Sequence, residues 1–228
     1  MEDRSFELLW GERRRGARGP VPGLSVERIA AAAIALADAE GLGALSMRRL
    51  AGDLGVAPMA LYRYVPGKTE LLDVMVDAVI GEQAVADEGG WRERLAASAR
   101  ASRALHERHP WLAPATLERP PLGPNAVAAH DRLLAAASQI GLSPAETVAA
   151  AQLVAGYARS AAGGEEERAR TERFWAERSA FWEDHYEPER FPALTALYEA
   201  GAFDDPPDAF EFGLQRILDG IEALLASR

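Results

Sequence analysis

The segment Pro58–Tyr64 carries side-chain types that can read DNA from one face of a short helix. At about 100° per residue, placing Leu61 against a core puts Met59 and Arg63 on the opposite side. An arginine can reach guanine or a phosphate, a tyrosine hydroxyl can bond a phosphate, and apolar atoms can meet thymine methyl groups. The sequence therefore predicts an outward-facing, DNA-contacting set: Pro58, Met59, Ala60, Tyr62, Arg63 and Tyr64.

A helix-turn-helix is predicted to position that face. One helix begins after the N-cap residue Ser25 and stops at Gly41–Gly43. Ser46 caps a second, short helix with one apolar stripe, and Gly55 follows where a left-handed residue closes a helix. Pro58 suits the first turn of a third helix, because its missing N–H has no partner there in any case. This order of elements is typical of a DNA-reading helix-turn-helix.

The charge of the chain is distributed unevenly. The 228 residues carry a net charge of −10, yet residues 13–68 hold nine Lys and Arg against four acids, which leaves −15 on the rest. Such asymmetry favours a basic module joined to an acidic one.

Composition excludes several classes of protein. A hydrophobic content of 48% and a charged content of 26% are ordinary for a globular chain. The chain has no cysteine, which excludes disulfide frameworks, thiol catalysis and Cys-ligated zinc. No apolar run approaches the roughly 18 residues of a membrane span, and the N-terminal segment lacks the apolar core of a signal peptide. We expect a cytoplasmic protein that does not bind membranes.

Helical spacing continues beyond the first third, without any alternating strand pattern, and predicts an all-α fold. A capping box, Ser143 to Glu146, marks one helix start. Helices are expected at 6–10, from Lys68 to about 87–90, and at 91–109, 125–140, 145–162, 168–186, 191–200 and 207–226. A loop with at most a turn of helix is expected at 110–124, and a flexible or solvated stretch at 163–167.

The run from Ser25 to Leu72 resembles the DNA-binding domain of the TetR family of bacterial regulators. The resembling features are a glycine after the first helix, Leu-Ser-Met-Arg-Arg-Leu-Ala, Leu-Gly-Val, Leu-Tyr-Arg-Tyr-Val and Gly-Lys-x-x-Leu-Leu. More weakly, Trp91-Arg-Glu-Arg-Leu, Gly141-Leu-Ser and Phe212-Gly-Leu-x-x-Ile-Leu-Asp-Gly-Ile resemble the tetracycline-repressor-like C-terminal domain. The high content of arginine, glycine and proline predicts a basic flexible arm at 1–22. The resemblance implies a three-helix helix-turn-helix domain at 23–70 and a larger helical effector-binding and dimerisation domain at 71–228.

The resemblance also implies roles for single residues. Arg48 matches a DNA-contacting position of the tetracycline repressor, the set from Pro58 to Tyr64 matches the recognition helix, and Lys68 matches a phosphate-contacting lysine. Departures from the repressor at Pro58, Ala60, Arg63 and Tyr64 imply a different operator. The arm residues Arg13, Arg14, Arg15 and Arg18 either reach the minor groove or phosphates or form a solvated tail, and both interpretations stay open.

A ligand pocket is implied in the C-terminal part. The predicted ligand-binding residues are Ser98, Ser102, Arg103, Thr116, Leu133 and Trp175. The metal-ligating histidine of the tetracycline repressor falls at Thr116, so no metal or other cofactor is predicted. His106 and His109 are interpreted as solvated at a helix end. An aromatic stripe at helical spacing either fills a core or lines a cavity for an apolar ligand: Phe174, Trp175, Phe181, Trp182 and Tyr186.

Dimerisation is predicted through the final helix, together with the alanine-rich helix at 145–162. The final helix has one apolar stripe and two glycines a heptad apart, Gly213 and Gly220, that permit close approach. The stripe consists of Phe210, Leu214, Ile217, Leu218, Ile221 and Leu225. The alternative is that both helices pack within one chain.

These observations predict a homodimeric, sequence-specific DNA-binding regulator, a repressor that a small molecule releases from an inverted-repeat operator. The alternative is a dimeric DNA-binding regulator without an effector. An all-α enzyme is disfavoured, because the sequence has no nucleophile–base motif, no glycine-rich phosphate loop and no metal cluster. No catalytic residue is predicted.

Overall fold

The structure is a computed structural model that describes residues 4–11, 23–85, 88–160, 164–204 and 206–228. Within these ranges the chain forms helices and turns and no strand, so the predicted all-α class is confirmed. The α-helices are α1 (Arg4–Trp10), α2 (Val26–Glu40), α3 (Met47–Asp53), α4 (Pro58–Leu61), α5 (Lys68–Ile80), α6 (Trp91–Arg108), α7 (Leu112–Glu118), α8 (Pro124–Ser138), α9 (Pro144–Ser160), α10 (Gly164–Ala176), α11 (Ser179–His185), α12 (Pro192–Glu199) and α13 (Ala209–Ala226).

The predicted caps fix the geometry of the helix-turn-helix. The Ser25 hydroxyl accepts the Arg28 N–H at the start of α2, and the Ser46 hydroxyl accepts the Arg49 N–H at the start of α3, both at 3.2 Å. Gly55 has φ +68°, and the Val56 N–H donates to the Ala51 carbonyl at 2.9 Å. This closure reverses the chain after α3, because glycine adopts the left-handed conformation without a steric penalty.

The chain divides into two compact units, Met1–Ala162 and Gly163–Arg228. This division differs from the predicted functional boundary at residue 70. The reason is a shared core: Leu105, Trp111 and Leu112 belong to the same buried cluster as the side chains of α2–α5. The predicted helix-turn-helix domain is therefore continuous in packing with α6 and α7.

Helix α5 is central in the first unit, where it packs against α1, α2, α7 and α8. Helices α6, α8 and α9 pack against one another beside it. The unit therefore joins a compact three-helix module to a second group of helices through one long connecting helix.

The N-terminal segment is partly helical. Helix α1 packs on α5, and the Trp10 indole N–H donates to the Leu122 carbonyl at 2.8 Å. The predicted short helix at 6–10 is therefore present, begins at Arg4, and is anchored rather than flexible. The remainder of the predicted arm, with Arg13, Arg14, Arg15 and Arg18, lies outside the described residues.

The middle of the chain departs from the prediction at two places. Helix α5 was expected to reach 87–90 but ends at Ile80, where Gly81 forms the C-cap beside the Asn125 side chain. The segment 110–124, expected to be a loop with at most a turn of helix, contains the seven-residue helix α7. Pro114 occupies its first turn, where a proline costs no helical hydrogen bond. Trp111 and Leu112 are buried and hold α7 against the core.

The second unit also departs from the prediction. The expected helix at 168–186 is divided into two helices, α10 and α11. A turn separates them, in which the Arg178 N–H donates to the Trp175 carbonyl three residues earlier. Helix α10 already starts at Gly164, within the stretch at 163–167 that was expected to be flexible or solvated. Helix α13 matches the predicted final helix, and the Asp208 carboxylate caps it by accepting the Phe210 N–H at 2.9 Å.

The apolar stripe of α13 lies inside the single chain. Phe210, Leu214, Leu218 and Ile221 are all buried without any second copy. Ile217 and Leu225 of the predicted stripe are only partly buried. Most of the stripe therefore needs no second copy to cover it, and dimerisation through this helix stays a prediction. None of the described helices is both long and apolar enough to span a membrane.

Candidate DNA interface and ligand cavity

Helix α4 presents much of the predicted DNA-contacting face. Met59 is 71% exposed and Tyr62 is 43% exposed, while Leu61 is fully buried beneath them. Pro58 and Arg63 are also exposed. Among the described residues Arg63 has no ion-pair partner, so its guanidinium is available to an external anion or base edge.

Two members of the predicted set face inwards. Ala60 and Tyr64 pack against the buried core, and the Tyr64 hydroxyl is buried with no hydrogen-bond partner in the described part of the chain. The α-helical hydrogen bonding stops at Leu61, and the following turn directs Tyr64 to the core side. The prediction that Tyr64 faces outwards is therefore wrong.

The two arginines of α3 differ in their surroundings. Arg49 pairs with Glu40 at 2.9 Å and with Asp53 at 3.2 Å. The hydrogen bonds and negative charges of these two carboxylates, Asp53 first, raise the pKa of the Arg49 guanidinium. Arg48 is exposed and has no partner among the described residues. Only Arg48 therefore offers a free positive charge from this helix.

Lys68 is the first residue of α5. It is exposed, and its Nζ donates to the Leu42 carbonyl at 3.2 Å. One of three ammonium hydrogens is used in this bond, which orients the side chain and leaves two donors for a phosphate.

A cavity of about 460 Å³ lies among α6, α7, α8 and α9. This volume falls within the range of small-molecule sites. Most of its wall is apolar, from leucine, valine, alanine and proline side chains. Four of the six predicted ligand-binding residues line it: Ser98, Ser102, Thr116 and Leu133.

The other two predicted ligand residues lie elsewhere. Arg103 forms an ion pair with Glu107 at 2.8 Å one helical turn away and does not line the cavity. Trp175 belongs to the second unit and is 52% exposed. Phe174 and Phe181 are likewise exposed, so these aromatics form neither core nor cavity in the single chain. The Trp182 side chain lies outside the described residues.

Thr116 does not fit a metal site. Its hydroxyl donates towards the carbonyls of Leu112 and Ala113 at 3.0 and 3.1 Å. Among the described residues no group of three His, Asp or Glu side chains is placed to hold a metal ion. The residues at this position therefore do not fit a metal site like the one that contains the metal-ligating histidine of the tetracycline repressor.

Both histidines that were interpreted as solvated are buried, at 5% exposure for His106 and 7% for His109. His106 lines the cavity, and its Nδ1 contacts the Ser102 carbonyl at 2.8 Å. Burial lowers the pKa of His106 below its ordinary value, with the Ser102 carbonyl opposing and Arg159 adding to the shift. The signal that sequence reasoning missed is the four-residue spacing of Ser98, Ser102 and His106, which places all three on one face of α6.

Comparison with known proteins agrees with this arrangement. Residues 23–75 match the family described as bacterial regulatory proteins, tetR family, and residues 85–225 match the tetracyclin repressor-like C-terminal domain. The chain belongs to the TetR family. It is a DNA-binding transcriptional regulator.

Two relatives of this TetR-family regulator are similar over nearly the whole chain. The HTH-type transcriptional repressor DrrR1 of Streptomyces coeruleorubidus is 43% identical over 99% of this chain and 87% of that protein. The crystal structure of apo ActR from Streptomyces coelicolor has a TM-score of 0.77 at 30% identity and covers 91% of this chain and 99% of ActR. ActR in complex with actinorhodin has a TM-score of 0.77 at 31% identity and covers 89% and 97%.

In this TetR-family regulator, α8 is tied to the connecting helix α5. The buried Asp77 carboxylate of α5 accepts the Ala126 N–H near the start of α8, and the Asn125 amide donates to the Asp77 carbonyl, both at 3.0 Å. A side chain at Gly123 would collide with the Asp77 carboxyl group, so glycine permits this close approach. Ala126 also lines the cavity, so the cavity wall and α5 share one hydrogen-bonded junction.

A second junction joins the cavity region to α2. The Asp38 carboxylate of α2 is 2.7 Å from His109 Nδ1 and accepts the Trp111 indole N–H at 2.6 Å. Glu82 lies on the other side of the His109 ring, 3.3 Å from Nε2. His109 and Trp111 stand between α6 and α7, which both line the cavity. A shift of α6 or α7 would therefore change the contacts of Asp38 on α2, the first helix of the DNA-binding module.

Proposed function

We propose that this protein is a homodimeric repressor that binds an inverted-repeat operator in the cytoplasm and is released by a small molecule bound in the α6–α9 cavity. The observation that carries the proposal is the cavity of about 460 Å³, which shares one packed unit with the exposed face of α4. A DNA-binding dimer without an effector has no need of such a void. Two relatives, the transcriptional repressor DrrR1 and ActR in complex with actinorhodin, support the same assignment.

In the proposed complex α4 enters the major groove. Arg63 reads a base edge or a phosphate, Met59 and Pro58 offer apolar contacts, and Tyr62 bonds the backbone. Arg48 and Lys68 hold phosphates on either side. The dimer places two such helices about 34–36 Å apart, to match successive major grooves.

Release is proposed to follow a population shift. A ligand between α6 and α8 displaces α8, and the Asp77 junction passes this displacement to α5. Because α5 packs on α2, the DNA-binding module turns with it. The two recognition helices then no longer match the operator spacing.

The DNA-binding half of the proposal is tested with Arg63→Ala. Binding to the intergenic DNA upstream of the protein's own gene should weaken by about 1–3 kcal/mol if the guanidinium reads a base. Arg49→Ala is the matched control, because that guanidinium is already neutralised by Glu40 and Asp53. Fluorescence anisotropy on cognate and scrambled duplexes measures both. Equal losses on the two duplexes would restrict Arg63 to phosphate contact, and no loss on either would refute its role.

The dimer is proposed to form through the exposed face of α13 rather than through its buried stripe. Phe212 is 56% exposed and Leu224 is 42% exposed, and Gly220 between them has open space above it. The exposed apolar residues Val148 and Leu153 of α9 are a further candidate contact. Large exposed apolar side chains next to a glycine favour close helix packing across a two-fold axis.

Two substitutions on α13 separate the faces. Leu224→Asp should leave the fold intact and give a monomer, because it adds a charge to the exposed face only. Ile221→Asp should unfold the protein, since an unpaired carboxylate would be buried at a site that is 7% exposed. Light scattering and circular dichroism report the two effects. A dimer of normal affinity with Leu224→Asp would move the interface to α9.

A further inference from the structure

One face of α6 forms a polar stripe in an otherwise apolar cavity. Ser98, Ser102 and His106 are spaced four residues apart, and all three line the void. Within the described residues the hydroxyl groups of Ser98 and Ser102 have no hydrogen-bond partner. Polar groups at a cavity wall that find no partner in the protein fix the orientation of a ligand.

The tautomer of His106 follows from its neighbour. The Ser102 carbonyl oxygen, 2.8 Å from Nδ1, can only accept, so Nδ1 must carry a hydrogen and donate it. In the neutral ring Nε2 is then an acceptor. Nε2 has almost no accessible surface and no partner among the described residues, so a ligand group reaches it only when the cavity wall shifts slightly.

The ring stays neutral at physiological pH. Burial lowers the pKa of His106, and the positive charge of Arg159, which also lines the cavity, lowers it further. A buried acceptor without a donor costs free energy, so a ligand that supplies a donor gains affinity at this position.

Resting on the proposed ligand-released function, we propose that the effector is a largely apolar molecule with a hydroxyl group that donates its hydrogen to Nε2 of His106, while the serines of the α6 stripe bond its other oxygens. A methyl ether at the same position offers no hydrogen and leaves Nε2 unsatisfied. A carboxylate offers only acceptors and requires the ring to take up a proton against its surroundings. The inferred effector is therefore a neutral phenol or alcohol.

A pair of fluorescent probes tests the inference: 9-phenanthrol and 9-methoxyphenanthrene, which differ only in the O–H hydrogen and its methyl replacement. The wild-type protein should bind the phenol about three- to tenfold more tightly than the ether, the worth of one net hydrogen bond. His106→Phe keeps a ring of similar size without the acceptor and should make the two affinities equal.

The matched control is His185→Phe. His185 makes the same contact to a carbonyl four residues earlier, that of Phe181 at 2.8 Å, but it is exposed and does not line the cavity. It should leave the preference for the phenol unchanged. His106→Gln retains an acceptor and should keep part of the preference, which covers the case in which the phenylalanine variant does not fold. Thermal melts report folding of each variant.

Equal affinities of the wild type for the two probes would overturn the hydroxyl inference, as would a preference that persists in both His106 variants. Operator release, followed separately by anisotropy of the intergenic duplex, tests the underlying function. A phenol preference without any release of DNA would refute the proposed release and leave the recognition by His106 standing. Failure of both probes to bind would refute the ligand site and the inference together.

Discussion

The helices of the DNA-binding module and the helices that surround the cavity are both amphipathic, but they differ in how densely their buried side chains pack. In α2–α5 most inward positions hold large side chains, such as Ile29, Leu50, Leu61 and Met75, all fully buried, although α2 also buries three alanines. In α8 and α9 the buried positions are mainly alanine. Small side chains leave the space between helices unfilled, which accounts for the cavity. In the proposed function, the first region therefore acts through its surface and the second through its cavity.

Truncation of leucines tests this contrast most strongly. Leu61→Ala in the filled module should lower the free energy of unfolding by about 2–5 kcal/mol, because the surrounding core cannot collapse around the gap. Leu133→Ala removes the same atoms from the cavity wall and should cost less, since no new enclosed void forms there. Chemical denaturation at fixed protein concentration measures both. Equal costs would show that the cavity wall is packed as tightly as the core.

Enlargement of alanines should act in the opposite sense. Ala33→Leu, at a fully buried position of α2, overpacks the core and should destabilise the fold by about 1–3 kcal/mol. Ala155→Leu extends into the cavity and should be neutral or stabilising. The Ala155 variant should also bind operator DNA normally and respond less to any ligand. Destabilisation by both substitutions would indicate that the void closes in solution.

The contrast also explains what could be predicted from the sequence. Ser25, Ser46 and Gly55 act locally, through hydrogen bonds or backbone freedom within a few residues, and their roles were predicted correctly. The exposed face of α4 followed from helical periodicity, except where the helix stops early and Tyr64 turns inwards. The end of α5 at Gly81 could not be predicted from helical periodicity, because Gly81 lies beside Asn125, a residue that is distant in sequence.

The cavity was predicted only through resemblance, because a void depends on side chains from four helices that are far apart in sequence. Ser98, Ser102, Thr116 and Leu133 meet there. The burial of His106 and His109 was missed, since their partners are backbone and carboxylate groups whose approach the spacing of two histidines does not reveal. The aromatic residues around Trp175 were expected either to fill a core or to line a cavity. They do neither, because their side chains are exposed in the single chain.

The smallest expected effect is a pH dependence at the cavity wall. Among the described residues of α2–α4 no buried side chain is titratable, whereas His106 is buried beside the void. Its pKa is lowered in the folded protein from the ordinary 6.5, first by burial. The unfolded chain therefore binds more protons than the folded chain below pH 6.5. The free energy of unfolding should fall as the pH falls through that value, by less than about 1.4 kcal/mol per pH unit.

His106→Phe should flatten this slope, and His185→Phe, which alters an exposed histidine, should not. The comparison requires urea denaturation of the three proteins between about pH 5 and 7. Identical slopes would show that His106 has the same pKa in the folded and the unfolded chain, and that its burial does not disfavour the charged ring.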